Sequence, residues 1–336
     1  MENNIEAFRL SGKTRELFEE LPRRLYGPLY RSEEAPDGLP FFLCRGGDGA
    51  VLARAAAWAN PLLFWQGRNP GLIGSFECAR NDAALAGAVL AAAEGHLRCE
   101  GHDLAIGPLN GSTWNAYRIA EAEGAPCLFP LEPCNSAFYG ALWDACGYST
   151  LANYTSSRFD LSEASFPRLA AATGDLEKRG IFVRDFRPDQ AADDLDAICD
   201  VARASFGGNF LYPPLSREEF LRRYRPFIQA LRPHDAAIAR RADGTPVGFV
   251  FGFPNHYAPE GAEYVVKTVA VLPAPDCRRC GLGRLLVERL ARNAFNDGFR
   301  TAYHALMHEG NFSVRFGRHV GSSVCRRYRL FIKNLA

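Results

Sequence analysis

The residues best suited to binding chemistry lie near the C-terminus, where positions 278–286 read RRCGLGRLL. The stretch follows a β-branched run, VVKTVAVLP, and opens an amphipathic segment that ends near Gly298. A glycine-rich turn between a strand and a helix leaves backbone N–H groups without partners, and the helix dipole favours negative charge there. Arg278, Arg279 and Arg284 add charge-assisted donors for phosphate oxygens. The stretch therefore predicts a site for an anionic, phosphate-bearing ligand.

Other ligand-binding motifs do not describe this loop. It lacks the G-x-x-x-x-G-K-[ST] pattern of nucleotide triphosphate sites, and it is not a G-x-G-x-x-G turn after the first strand of a parallel βαβ unit. No metal is expected, because Cys277-x-x-Cys280 has no second cysteine pair and no histidine at ligand spacing. The ten cysteines are instead typical of reduced thiols in a cytoplasmic protein.

The elements that must position the loop appear twice in the chain. Apolar side chains at three- and four-residue steps predict a helix over 281–298, with strands at 265–272 and 301–307 on either side. The same order occurs earlier as a strand, a helix with Asp82 as its N-cap, and a second strand, over 71–79, 82–101 and 102–108. The later copy lies about 200 residues further on, which is too long a period for a solenoid. The chain is therefore predicted to be a tandem duplication.

The second copy can be followed in order. It begins with a strand at 181–186 and a helix at 193–206, and continues with a helix at 216–231 that opens on a Ser216/Glu219 capping box. A hairpin over 236–254 turns at Asp243-Gly244. These elements predict an α/β (α+β) protein whose two lobes each contain a mixed, mostly antiparallel sheet flanked by helices. The expected division is a first lobe at 1–160, a linker at 161–179 and a second lobe at 180–336.

The arrangement Arg278-x-x-Gly281-x-Gly283, after VKTVAVLP and at the start of a helix, resembles the pyrophosphate loop of the GNAT N-acetyltransferase superfamily. The resemblance covers residues 180–336 and implies acetyl-CoA, or another acyl-CoA, as a co-substrate. It implies that the pantetheine arm pairs with backbone groups of Val269, Ala270 and Val271, and that an N–H near Val269 or Ala270 polarises the thioester carbonyl. It further implies contacts to the cofactor from a set of loop residues and one asparagine: Arg278, Arg279, Cys280, Gly281, Leu282, Gly283, Arg284 and Asn311.

Two features depart from the family pattern. The loop between Val271 and Arg278 is two residues longer than usual. Arg318 stands where many members have a tyrosine that protonates the CoA thiolate. Tyr328 is an alternative acid, and Arg318 or His319 could stabilise a thiolate by charge, so the sequence leaves the acid open.

The candidates for the base lie on the strands around the loop. Glu263 is expected to face the same side as Val269 and Val271, because side chains alternate along a strand. His304 is a second candidate for proton transfer, and His308 with Glu309 could relay a proton through water. A solvated carboxylate and a structural histidine remain the competing interpretations.

The first copy has lost the features that bind phosphate. Ala83 and Leu85 replace the two glycines, and Asp82 would repel a pyrophosphate where it caps the helix. We expect this lobe to bind no CoA and to shape the substrate cleft or the assembly. Trp114 in this lobe, with Asn209 and Tyr212 in the second, are the candidate substrate contacts, although each could equally be a packing residue.

The sequence therefore predicts an N-acyltransferase that moves an acetyl or other short acyl group to a primary amine of a small molecule or amino acid. The net charge of +1 argues against a nucleic-acid partner, and no apolar run is long enough for a membrane span. A cytoplasmic monomer or homodimer without a metal is expected. The alternatives are a Fem-like aminoacyl or peptidyl transferase and a non-catalytic CoA-binding protein.

Overall fold

The computed structural model describes residues 4–121, 127–166, 169–259, 261–278, 280–311 and 321–336. The chain forms two compact units. The first unit contains Met1–Tyr154 together with Arg326–Ala336, and the second unit contains Thr155–Cys325.

The first unit has a sheet with helices against it. Its strands and helices are β1 (Asn4–Arg9), α1 (Arg15–Tyr26), β2 (Pro40–Arg45), β3 (Val51–Trp58), β4 (Gly71–Cys78), α2 (Ala83–Cys99), β5 (Leu104–Gly107), β6 (Ile119–Glu121), α3 (Tyr139–Ala145), the first half of β7 (Ser149–Asp160) and most of β13 (Ser323–Asn334). The strands β1 to β4 pair antiparallel in turn, β4 and β5 are parallel, and β13 lies antiparallel to β5 and β6. The apolar face of α2, including Leu85, Val89 and Leu97, is buried in the core of this unit.

The second unit repeats this plan. Its elements are the second half of β7, α4 (Leu169–Glu177), β8 (Ile181–Asp185), α5 (Ala191–Phe206), α6 (Arg217–Gln229), β9 (Ala236–Arg241), β10 (Pro246–Pro254), β11 (Glu263–Val271), α7 (Pro275–Arg278), α8 (Leu282–Asn296) and β12 (Thr301–His308). The strands β8 to β11 pair antiparallel in turn, and β11 is parallel to β12. Leu282, Leu286 and Leu290 of α8 are buried against this sheet, as their spacing predicts.

Several local predictions are confirmed. Asp82 caps α2, accepting hydrogen bonds from the N–H groups of Ala84 and Leu85 at 3.1 Å each. Ser216 caps α6, where its Oγ accepts from the N–H of Glu219 at 3.0 Å. The hairpin of β9 and β10 turns at Gly244, which has a φ of 88°.

The division of the chain differs from the expected one at two places. The stretch 161–179 contains α4, and Leu169 and Leu176 of this helix are buried in the core of the second unit. The chain's last strand is part of the first unit, because Phe331–Asn334 of β13 pair with Leu104–Gly107 of β5. Alternating burial along β13 shows that this strand faces a core, but the pattern in the sequence does not say which one.

Candidate functional site

The loop predicted to bind phosphate lies beside an opening between two parallel strands of the second unit. The register of β11 and β12 runs from the pair Glu263↔Thr301 to the pair Val266↔His304. Both strands continue beyond the last pair, β11 to Val271 and β12 to His308. We call the space between residues 267–271 and residues 305–308 the β11–β12 opening.

A bulge in β11 sets the start of this opening. The register with β10 shifts between Phe251↔Thr268 and Gly252↔Val266, so Lys267 is the extra residue. Tyr264 and Val266 are buried in the core beneath α8. Val269 and Val271 pack against that same core, so the alternation of side chains changes phase at Lys267.

This change of phase corrects the expectation for Glu263. Its side chain alternates with that of Tyr264, so it lies on the face opposite to Val269 and Val271. The prediction that the three share one face is wrong, because it assumed an unbroken alternation. Glu263 also lies six residues from Val269, roughly 20 Å at about 3.3 Å per residue.

The backbone of β11 presents alternate residues to the opening. The N–H of Leu272 donates to the carbonyl of Val247 on β10 at 2.9 Å, so the backbone groups of Ala270 also point towards β10. The N–H and C=O groups of Val269 and Val271 then point away from β10, into the opening. Of the two residues considered for an N–H that contacts a thioester, the geometry favours Val269 over Ala270.

The phosphate loop ends at the first turn of α8. Gly281 is the N-cap of this helix and has a φ of 81°, a left-handed conformation that L side chains rarely adopt. A Cβ on Gly281 would meet no atom within 4 Å, and one on Gly283 would lie 3.5 Å from Cγ2 of Val271, an ordinary contact. Gly281 is therefore required for its backbone conformation rather than for space within the protein. The two extra residues of the loop are accommodated where α7 forms a single helical turn.

The charged and sulfur groups of the loop have specific partners. Arg284 donates from Nε to Glu288 Oε1 at 2.6 Å, a pair within α8 whose carboxylate is buried. The thiol of Cys280 donates to the carbonyl of Cys277 at 3.1 Å, and burial raises the pKa of the Cys277 thiol. The side chain of Arg278 and all of Arg279 lie outside the described residues. In this conformation the guanidinium of Arg284 is therefore paired with a carboxylate of its own helix.

Glu263 is held by two neighbouring side chains. Its Oε1 accepts from the hydroxyl of Tyr303 at 2.9 Å, and its Oε2 accepts from Nδ2 of Asn255 at 2.8 Å. Asn255 is buried, and its N–H donates to the Glu263 carbonyl at 2.9 Å. Burial and the adjacent Glu263 carboxylate raise the pKa of Tyr303, so its hydroxyl stays protonated and donates. The carboxylate is thus fixed in position on its face of the sheet.

His304 lies at the last pair before the opening, but its side chain is buried. It is 6% exposed, and its ring centroid lies 4.4 Å from that of Phe159. Burial lowers the pKa of His304 to about 4, so the imidazole is neutral near pH 7. A buried neutral ring against a phenylalanine has the character of a packing residue.

The segment between α5 and α6 borders the opening. The hydroxyl of Ser205 donates to the carbonyl of Val271 at 3.0 Å. The ring of Phe210 stacks on that of His308, with centroids 5.0 Å apart. Of the predicted contacts, Asn209 is exposed and Tyr212 is half-buried, and burial raises the pKa of Tyr212 to about 12. Asn311 is exposed, and its N–H donates to the carbonyl of His308 at 2.9 Å.

Two predicted site residues belong to the first unit. Tyr328 is fully buried, and its hydroxyl donates to Glu132, which also pairs with Arg326 at 3.3 Å. Trp114 is half-buried, and its N–H donates to Oγ of Ser112 at 3.1 Å. Arg318 and His319 lie outside the described residues. Glu309 is exposed at the end of β12. The second unit therefore brings the backbone of Val269 and Val271 together with the start of α8, while Glu263 lies further along β11 on the opposite face of the sheet.

The first unit has an equivalent pair of parallel strands, β4 and β5. The residues that follow β5, Leu109 and Asn110, fill the space between these strands. The register of β4 and β5 ends at Leu72↔Ile106. Beyond it, the N–H of Leu109 donates to the carbonyl of Ile73 at 2.8 Å. The Oδ1 of Asn110 accepts from the N–H of Ser75 at 2.7 Å, and its Nδ2 donates to Glu33 at 2.8 Å. The backbone groups of β4 that would meet a ligand are thus already hydrogen-bonded.

A polar groove of about 460 Å³ lies elsewhere on the second unit, along the N-terminal part of α5. Its acidic residues include Asp196 and Asp200, and Arg217 pairs with both, at 2.8 and 2.6 Å. None of the residues that line this groove is among the predicted site residues. Within the described residues, no group of three or more histidine, cysteine, aspartate or glutamate side chains could hold a metal ion. No helix in that part of the chain is long and apolar enough to span a membrane.

Comparison with known proteins agrees with this architecture. The sequence model of the acetyltransferase (GNAT) family matches residues 195–321, which include the opening and the loop. Residues 195–321 are thus similar to the GNAT family in sequence, and the chain as a whole has the fold of two-lobed GNAT proteins. No curated protein sequence matches the chain significantly.

Solved structures share the fold over nearly the whole chain at low identity. A GCN5-related N-acetyltransferase from Sphaerobacter thermophilus has a TM-score of 0.58 at 16% identity, covering 98% of this chain and 96% of that one. A tandem GNAT protein from the clavulanic acid biosynthesis pathway has a TM-score of 0.55 at 13% identity, covering 99% of both chains. A glucosamine N-acetyltransferase region of a fungal multi-domain β-N-acetylglucosaminidase has a TM-score of 0.60 at 14% identity. The likeness covers 99% of this chain but only 38% of that enzyme.

Sequence reasoning missed four residues at the site: Asn255, Tyr303, Ser205 and Phe210. Tyr303 is the third residue of a predicted strand, and its contact with a carboxylate on the neighbouring parallel strand follows once the register is known. The contacts of Ser205 and Phe210 depend on how the end of α5 packs, for which the sequence carries no signal.

Proposed function

We propose that the second unit transfers an acetyl or other short acyl group from acyl-CoA to the primary amine of a small molecule or amino acid. The observation that carries this proposal is the β11–β12 opening, which points backbone donors and acceptors of Val269 and Val271 towards the space beside the N-terminus of α8. An extended amide-bearing arm can pair with such groups like an added strand. A diphosphate can bind the N–H groups at the start of α8.

The residues present fit an acyl-CoA co-substrate. Gly281 takes its left-handed conformation at the N-cap, so the first turn of α8 is left without a side-chain cap. In the first unit, the N-cap of the corresponding helix α2 is Asp82, whose carboxylate already occupies two of the N–H groups. Acyl-CoA supplies the activated thioester, and the residues of this chain orient it and stabilise charge.

In the proposed reaction, the amine nitrogen of the acceptor attacks the thioester carbonyl carbon within a ternary complex. The N–H of Val269 donates to the carbonyl oxygen as negative charge develops there. The new C–N bond forms as the C–S bond breaks, and the leaving thiolate takes a proton. The source of that proton is not assigned to a residue. Positioning in the ternary complex supplies much of the rate.

Glu263 is the candidate base in this proposal. Tyr303 and Asn255 fix its carboxylate, and its distance along β11 means that an amine proton would reach it through water. Glu263→Gln should lower kcat by about 100-fold and leave the affinity for CoA unchanged. Glu218→Gln, at an exposed position on α6, is the control. An equal loss of kcat in both variants would remove Glu263 from the mechanism.

The proposed function is tested by two measurements on the full chain. Calorimetry with CoA should show binding at one site per chain, and release of CoA from acetyl-CoA should rise with members of a panel of primary amines. Binding without release for any amine would favour a non-catalytic CoA-binding protein, an alternative raised by Arg318 at the position of the family's tyrosine. Absence of CoA binding would overturn both the proposed acyltransferase and the non-catalytic CoA-binding protein. The reaction is proposed to take place in the cytoplasm, and the ten cysteines are free thiols.

A further inference from the structure

The end of α5 contacts β11 on the side of the β11–β12 opening. The hydroxyl of Ser205, in the last turn of α5, lies 3.0 Å from the carbonyl oxygen of Val271 and donates to it. Because this carbonyl points away from β10, the hydroxyl occupies the side from which an added strand would donate. Ser205 therefore holds a hydrogen-bonding position within the opening.

Five residues later, the same segment contacts the other strand. The rings of Phe210 and His308 are stacked, with centroids 5.0 Å apart and an interplanar angle of 28°. His308 is the last residue of β12, and its Nδ1 accepts from the N–H of Gly310 at 3.0 Å, which fixes the imidazole. The segment Ser205–Phe210, here called the strap, thus contacts both strands that border the opening.

The backbone of the strap has residues that permit a change of conformation between its two contacts. Gly207 and Gly208 stand between its two contacts. Directly after the strap, Leu211 has a φ of 50°, which is costly for a side chain branched at Cγ and marks stored backbone strain.

We infer that Ser205 is a positioning residue that occupies the place of an amide donor of the pantetheine arm, and that the strap leaves Val271 when the arm binds. The inference rests on the proposed function, because it assumes that acyl-CoA enters the β11–β12 opening. An amide N–H of the arm and the hydroxyl of Ser205 compete for the same carbonyl oxygen. The protein breaks one hydrogen bond for each one it gains there, so the strap lowers the affinity for CoA and restricts the opening to ligands that can replace it.

The test compares CoA with adenosine 3′,5′-bisphosphate, which carries the adenosine, the 3′-phosphate and one of the two 5′-phosphates but no arm. Ser205→Ala removes the competing donor and should tighten CoA binding by about fivefold, the value of one ordinary hydrogen bond. Its affinity for adenosine 3′,5′-bisphosphate should equal that of the wild type. The matched control is Thr173→Ala, which removes a hydroxyl that donates to a carbonyl within α4 at 2.7 Å and should change neither affinity.

A second variant tests the other end of the strap. Phe210→Ala removes the ring that stacks on His308 and should increase the association rate of CoA, while the rate for the armless nucleotide stays constant. Thermal unfolding of each variant shows whether it is folded, and alanine is well tolerated in the last turn of a helix.

Three outcomes would overturn the inference. Unchanged or weaker CoA binding in Ser205→Ala would show that the hydroxyl does not compete with the arm. Equal tightening of CoA and adenosine 3′,5′-bisphosphate would show a general loosening of the loop rather than competition at Val271. A wild-type protein that binds neither ligand would overturn the proposed function, and this inference with it.

Discussion

At the scale of single residues, position along a strand decides what a side chain can do. His304 and Glu263 were predicted from the same evidence, an ionisable residue on a strand near the loop. The structure separates them, because His304 is buried against Phe159 while Glu263 is held by two polar side chains at the surface of the sheet. Residue type alone could not distinguish these environments, since both depend on which face of the sheet is covered.

The burial of His304 predicts a pH dependence of stability. Its pKa is about 4 in the folded protein and 6.5 when unperturbed, so the unfolded chain binds the proton more readily. Stability from the neutral ring is present above pH 6.5 and is lost as the pH falls towards 4, at up to about 1.4 kcal/mol per pH unit. His304→Phe, which does not titrate, should flatten this part of the profile. Urea unfolding at pH 7.5 and pH 5 measures the change in the free energy of unfolding for each protein. An equal change in the wild type and in His304→Phe would contradict the lowered pKa of His304.

The two glycines of the loop should respond differently to alanine. Gly281→Ala places a side chain at a φ of 81° and should lower the free energy of unfolding by about 1–2 kcal/mol. Gly283 lies inside α8, and Gly283→Ala adds a Cβ in ordinary contact with Val271 of β11. This substitution should be neutral or stabilising by about 0.5–1 kcal/mol. Denaturant unfolding measures the free energy of unfolding of Gly281→Ala and of Gly283→Ala relative to the wild type. Similar losses in both variants would show that crowding, not backbone conformation, explains the glycines.

At the scale of elements, helices with a regular apolar spacing or a clear N-cap could be predicted, whereas α4 lies in a stretch that the sequence predicts to be a linker. The helix α8 and the cap of α2 follow from spacing and from one N-cap residue, which are local properties of the sequence. The bulge at Lys267 was not predictable, because a bulge is fixed by pairing with β10 and its sequence has no distinctive residue. The bulge puts the side chains before Lys267 out of phase with those after it. Because the sequence did not reveal this one residue, Glu263 was predicted on the wrong face.

The filled space in the first unit makes a prediction about its lost loop. Substituting Ala83 and Leu85 by glycine and Asp82 by cysteine, as in the second loop, would remove the cap, at a cost of about 0.5–2 kcal/mol. It should not create a second CoA site, because Leu109 and Asn110 still occupy the hydrogen-bonding groups of β4. Calorimetry should give the same stoichiometry as the wild type, and a second equivalent of bound CoA would contradict this account. Asp82→Asn, which retains a capping oxygen, is the control for stability.

At the scale of the whole molecule, the sequence predicted two repeats of one plan and a GNAT fold, and the structure confirms both. It did not predict where the C-terminal strand belongs. A strand of alternating burial fits any sheet with an unpaired edge, so the choice depends on contacts distant in sequence, such as those between β13 and β5.

The membership of β13 can be tested by mutation. Phe331 is fully buried in the core of the first unit, and Phe331→Ala should destabilise that unit by about 3–5 kcal/mol. Hydrogen exchange should then increase at Leu104–Gly107 of β5, the residues that β13 covers. Arg327→Ala, at an exposed position on the same strand, should have an effect within about 0.5 kcal/mol. Unchanged exchange in β5 after Phe331→Ala would contradict the pairing.

The pairing of β13 with β5 also has a consequence for biosynthesis. A ribosome releases the N-terminal residues first, and most domains begin to fold in that order. Here the sheet of the first unit lacks a strand until Ser323–Asn334, which follow the whole of the second unit, have left the exit tunnel. The first unit is therefore completed only after the second unit has been made, and a message truncated before Ser323 would yield a nascent chain with an exposed β5 edge available to chaperones or to aggregation.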